Sequence, residues 1–200
     1  MTGPGAWVTP IEATTADDRF PDAAAARQAY LLAAVAERRE DAARAQCHLA
    51  QLLYFEGRPG ATLDVLDEVV ETGPAAWAGR AACLLGDIRF ESGDLDGAYA
   101  AYRKAVEADA PDRADQALVM LAVLIDQGCG GADARTDFAA LDRPGVPEER
   151  GAYIRATLLR WQGELKAAEA AFQQLHKDWV GYYAAAVRFQ LERDRRTPGS

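Results

Sequence analysis

Two stretches of this chain are spaced copies of one another, and that repetition limits the folds open to it more than any other feature. HLAQLLYFEGRPGATLDVLDEVVETGP runs from residue 48 to 74, and LGDIRFESGDLDGAYAAYRKA from 85 to 105. Laying Ala50 on Gly86, 36 positions later, puts Gly57 on Gly93, Leu66 on Tyr102 and Val69 on Ala105. Two weaker copies follow. LAVLIDQGCGGADARTDFAAL starts at Leu121 and carries Phe138 late, while IRATLLRWQGELKAAEAAFQQL places Gly163, Ala168 and Phe172 at the offsets of Gly93, Ala98 and Tyr102. A period of this length is the mark of stacked supersecondary units, each leaving an apolar face that only its neighbour covers.

The units read as helical hairpins. From Pro21 to about Arg193 the sequence is Ala-rich and apolar at helical spacing, as at Leu32, Val35 and Ala36 and at Ala168, Ala171, Phe172 and Leu175. No stretch alternates like a strand and β-branched residues do not cluster, so the expected class is all-α. Small residues at Gly86 and Ala98 let two helices approach closely, Leu85 and Tyr102 fill the space beside them, and Gly93 permits the turn. An unrelated helical bundle would explain one hairpin, but copies in phase favour a solenoid.

Composition excludes several classes of partner. With 22 Lys and Arg against 31 Asp and Glu, the net charge of −9 repels phosphate backbones and anionic lipid surfaces, so no nucleic acid and no membrane is expected. Three cysteines without tight spacing suit a reducing compartment rather than a disulfide framework. No apolar run reaches eighteen residues, and MTGPGAWVTPIEATTADDRF lacks the basic start and apolar block of a secretory signal. The expectation is a soluble cytoplasmic protein. Residues 1–20 read as a flexible tail whose Trp7 either meets a partner or packs back on the protein's own surface, and residues 196–200 read as a frayed end.

Leu85, Gly86, Gly93, Ala98, Tyr102 and Ala105 together resemble the signature of tetratricopeptide repeats, a helix-turn-helix family with units of about 34 residues. The resemblance implies an α–α superhelix over residues 21–195. Its units fall at about 43–78, 79–114, 115–148 and 149–178, with a helix ahead of them and a capping helix at about 179–193. The sequence departs from the family at Arg89 and Arg155, where a large apolar residue is usual, and in GCGG and DRPGVPEE, which read as irregular turn and loop.

By the same resemblance, the first helix of each unit lines a concave groove. Its lining positions here include Arg44, Tyr54, Phe55, Arg80, Leu84, Asp87, Phe90, Met120, Arg150, Tyr153 and Trp161. Members that hold a peptide's terminal carboxylate do so with Lys, Arg and Asn at five groove positions. Here those positions are Cys47, Gln51, Leu84, Gln116 and Met120, so that clamp is absent. The remaining lining suits an apolar, helical peptide segment of a partner protein. Arg44, Arg80 and Arg150, at one repeat position in three units, either meet carboxylates on that segment or lie on a solvated helix edge.

Catalytic material is sparse, with His48 and His176 in different units and Cys47 adjacent to His48 on one helix, about 100° apart around the axis. No zinc spacing, phosphate loop or cofactor motif occurs. Three readings follow in order. The first is an adaptor or scaffold binding a partner segment. The second is a self-assembling scaffold, a possible homodimer, pairing through Val180, Tyr183 and Val187. The third is a small-molecule enzyme around His48, Tyr54 and Asp87.

Overall fold

The computed structural model describes residues 24, 28, 31, 38–108 and 113–178. The described residues form eight helices and no strand. In chain order these are α1 (Arg39–Phe55), α2 (Pro59–Thr72), α3 (Ala75–Ser92), α4 (Leu95–Glu107), α5 (Ala114–Asp126), α6 (Ala134–Ala139), α7 (Glu148–Trp161) and α8 (Leu165–Asp178). The chain divides into two compact units, Met1–Ala114 and Asp115–Ser200, at the border between the second and third repeats read from the sequence.

In the first unit α1 pairs with α2 and α3 with α4, and α3 also packs on α2. The helix boundaries follow from local chemistry. Pro59 stands in the first turn of α2, and Pro74 caps α3, where a missing N–H costs nothing. Gly93 ends α3 at φ 84°, a left-handed cap that its lack of a Cβ makes cheap. Asp94 then caps α4 by accepting the Gly97 N–H at 3.0 Å.

The second hairpin is as tight as its small residues allow. A Cβ on Gly86 would lie 2.6 Å from Cε1 of Tyr102, whose ring is fully buried. Ala81 through Ile88 are buried without interruption, so α3 is enclosed on all sides and has no polar face in its middle. Ala43, Cys47, Ala50, Leu66, Val69, Leu84, Leu85 and Ile88 form one apolar cluster, against which Tyr54, Leu63 and Trp77 lie partly buried. Arg89 departs from the apolar pattern without harm. It stays at the edge of this core, 3.5 Å from Asp67 on α2 and 3.9 Å from Asp94, and donates to the Gly97 carbonyl at 3.4 Å.

The second unit holds one regular hairpin, α7 with α8, in which Tyr153 and Phe172 meet at 6.0 Å between ring centroids and are both fully buried. The third repeat is irregular, as GCGG and DRPGVPEE suggest. Its second helix is the six-residue α6, bounded by glycine turns at 128–131 and by the loop 140–147. Arg155, on the outer side of α7, holds that loop through Asp142 at 3.0 Å and pairs with Glu148 in the first turn of its own helix at 2.6 Å. The expected capping helix, tail and frayed end lie outside the described residues, as does most of the opening helix.

Gly86→Ala adds helix propensity worth about 1 kcal/mol, but the new methyl must displace a locked ring. Urea unfolding is expected to show a net loss of about 1–3 kcal/mol, whereas Gly60→Ala, with open space around it, is neutral or stabilising.

Candidate interaction surface

The side chains that the sequence placed in a groove fall into three groups. Leu84, Asp87, Met120, Arg150 and Tyr153 are buried. Arg80, Tyr54, Phe90 and Trp161 are half-buried, while Arg44 and Phe55 are exposed. The first group sits on the inner, enclosed sides of α3, α5 and α7.

The arginines at the repeated position are engaged by their own chain. Arg44 reaches Asp41 at 3.4 Å, Arg80 stacks over Trp77 with its guanidinium carbon 4.5 Å from the ring centre, and the buried Arg150 donates to Asp115 at 2.7 Å. Of the two readings open for these arginines, contact with a partner's carboxylates therefore meets a competitor at each position.

Trp161 is pinned in the same way. Its indole N–H donates to Asp126 at 2.7 Å, its ring meets Phe138 edge-on at 5.0 Å, and Arg135 lies 5.4 Å over its face. Arg160 donates to the other oxygen of Asp126 at 2.7 Å, and both partners are nearly out of solvent. Asp115 and Asp126, near the two ends of α5, thus tie α7 at Arg150 and Arg160. Sequence reasoning did not pair Asp115 with Arg150 or Asp126 with Arg160 and Trp161. The signal was present as acid and base 34 or 35 residues apart, one repeat length.

The first unit uses the related position differently. The Tyr54 hydroxyl at the end of α1 donates to the Glu91 carboxylate at the end of α3, 37 residues on. That bond is the main reason the Tyr54 phenol is pushed up from 10 to about 12, with burial and the negative charges of Glu91 and Asp87 acting in the same direction. Asp87, one turn earlier on α3, accepts from the Tyr102 hydroxyl at 2.6 Å. Phe55 stands beside Tyr54 with ring centroids 6.2 Å apart and is 56 % exposed. Tyr54, Phe55, Phe90 and Glu91 therefore occupy the C-terminal ends of α1 and α3, accessible in part or in full.

The sequence model of the tetratricopeptide repeat-like domain matches residues 11–123, more than half of the chain. The chain belongs to this family. Tetratricopeptide repeat-like domains are in general protein-interaction scaffolds, and the match takes in all four helices of the first unit and most of α5. The rest of the second unit, with its six-residue α6, lies beyond it. No curated protein and no solved structure matches the chain. No helix among the described residues is long and apolar enough to cross a membrane.

The residues required by a catalytic reading are occupied elsewhere. Tyr54 and Asp87 serve the two hydrogen bonds above, and His48 is half-buried on α1. A cavity of about 180 Å³ in the first unit is lined by Val70, Glu71, Ala78, Lys104, Glu107 and Ala108, with none of those three residues in its wall. Burial pushes the Cys47 thiol up to about 12 against a smaller opposing pull from Arg80, so it is protonated at neutral pH and a poor nucleophile. Among the described residues no group of three or more His, Cys, Asp or Glu could hold a metal.

Two measurements test these environments. Alkaline absorbance titration is expected to show a tyrosine ionising near pH 12 that disappears in Tyr54→Phe. Because folding raises this pKa, its stabilising contribution is complete below pH 10 and is lost as pH rises through about 12. A maleimide reagent at neutral pH is expected to leave Cys47, Cys83 and Cys129 unmodified in the native protein and to label all three after unfolding, read by mass.

Proposed function

We propose that this chain is an adaptor or scaffold in which the C-terminal ends of α1 and α3 dock an apolar, helical segment of a partner protein. The observation that carries the reading is Phe55, a large aromatic side chain more than half exposed at the end of α1. Tyr54 holds it from one side, and Phe90 sits at the corresponding end of the next first helix. An aromatic ring of this kind offers large contact area for little lost side-chain entropy, which is what an interface anchor needs. The buried Leu84 belongs to the core behind this surface and does not touch the ligand, while the buried Met120 and Tyr153 belong to the second unit. A soluble cytoplasmic setting fits this role.

The second reading, assembly through Val180, Tyr183 and Val187, falls outside the described residues. The enzyme reading has no observation in its favour.

Peptides selected from a displayed library on the wild-type protein test the surface. They are expected to lose at least about tenfold in affinity for a Phe55→Ala, Phe90→Ala double variant that keeps its helical circular dichroism. Equal binding to both proteins would move the docking surface elsewhere.

A further inference from the structure

The last turns of α2 and α4 and the beginning of α3 leave a gap where they meet. The helix α2 stops at Thr72, Gly73 is extended at φ −74° and ψ 163°, and Pro74 caps α3. Ala78 in α3 and Ala108, the residue that caps the end of α4, present only methyl groups to the space beside this corner. The result is a cavity of about 180 Å³, walled by Val70, Glu71, Ala78, Lys104, Glu107 and Ala108. A water takes up roughly 30 Å³ of liquid, so the space admits a small molecule and not a large one.

The wall is divided chemically. Val70, Ala78 and Ala108 are half-buried and form its apolar part, while Glu71, Lys104 and Glu107 are exposed. The Glu107 carboxylate is answered on its own helix by Arg103 at 2.9 Å. Glu71 and Lys104 are not answered: among the described residues neither side chain makes a hydrogen bond or an ion pair, with the other or with a third group. One anion and one cation therefore border the same cavity without meeting, on either side of apolar surface. That arrangement is the complement of a molecule that itself carries one charge of each sign around a short apolar group.

We propose that this cavity binds a small zwitterion, an α-amino acid with a short apolar side chain. The ammonium donates to Glu71, the carboxylate accepts from Lys104, and the side chain lies on Val70, Ala78 and Ala108. The site is independent of the aromatic docking surface. Ala78 and Phe90 stand twelve positions apart on α3, about 18 Å along the axis at 1.5 Å per residue.

The test is isothermal titration of the full chain with three probes. These are L-valine, valinamide, which keeps the ammonium but has no carboxylate, and N-acetylvaline, which keeps the carboxylate but has no ammonium. Valine is expected to bind with a Kd in the millimolar range, and each analogue at least about fivefold more weakly, because one charge then loses its partner. Glu71→Gln and Lys104→Gln, both at exposed positions and checked by circular dichroism, are each expected to weaken valine by about three- to fivefold. Glu68→Gln, exposed on the same helix as Glu71 but outside the cavity wall, is expected to leave valine unchanged. Absence of heat with valine would overturn the inference. So would equal binding of valine and either analogue, since one of the two charges would then go unread, or equal binding of valine to the Glu71, Lys104 and Glu68 variants, which would put the valine elsewhere.

Discussion

The ring of Tyr102 lies against the α-carbon of Gly86 so closely that one added methyl group would meet it at 2.6 Å. That approach sets the separation of α3 and α4, and through it the burial of everything between them. With the hairpin closed, Tyr102 can deliver its hydroxyl to Asp87, which makes a buried carboxylate tolerable in the middle of an enclosed helix. Packing and polar satisfaction therefore depend on the same pair of residues. In a repeat protein each hairpin is only as stable as the face it offers its neighbour, so a loosened α3–α4 pair would also weaken the support of α1 and α2.

The two units solve one problem with different chemistry. Successive first helices must be held side by side at their ends, where apolar packing gives out. In the second unit this is done by charge, with Asp115 on Arg150 and Asp126 on Arg160 and Trp161, the Asp126–Arg160 pair nearly removed from water. Such pairs are costly to desolvate and chiefly fix register. In the first unit the Tyr54 phenol on Glu91 does the same work at an accessible surface. Trp161, by contrast, has its ring against Phe138 and its N–H on Asp126, both already committed.

How much of the site could be read in advance differs residue by residue. Phe55 and Tyr54 were assigned to the surface from their place in the repeat and are accessible there. Asp87 and Tyr153 came from the same positional rule but are buried, because the rule names a face of a helix and not how closely the next helix covers it. That Asp126 and Arg160 pair was not legible, since a charge on a helix ordinarily reads as solvated. Only their separation by one repeat length shows that they can meet.

The sequence by itself determined the helical class, the hairpin unit, its period and the glycines that its turns and closest contact require. These are local or periodic properties: helix propensity, the left-handed turn at Gly93 and the small residue at Gly86 act over a few positions or recur at fixed spacing. It also marked the third repeat as irregular through GCGG and DRPGVPEE, where the structure forms the six-residue α6. Tertiary structure alone decided which first-helix side chains face water, which arginines are taken by their own chain, and that Tyr54 meets Glu91. The reason is physical: burial and pairing depend on distances between segments some 35 residues apart, and those distances are set by how tightly each hairpin closes.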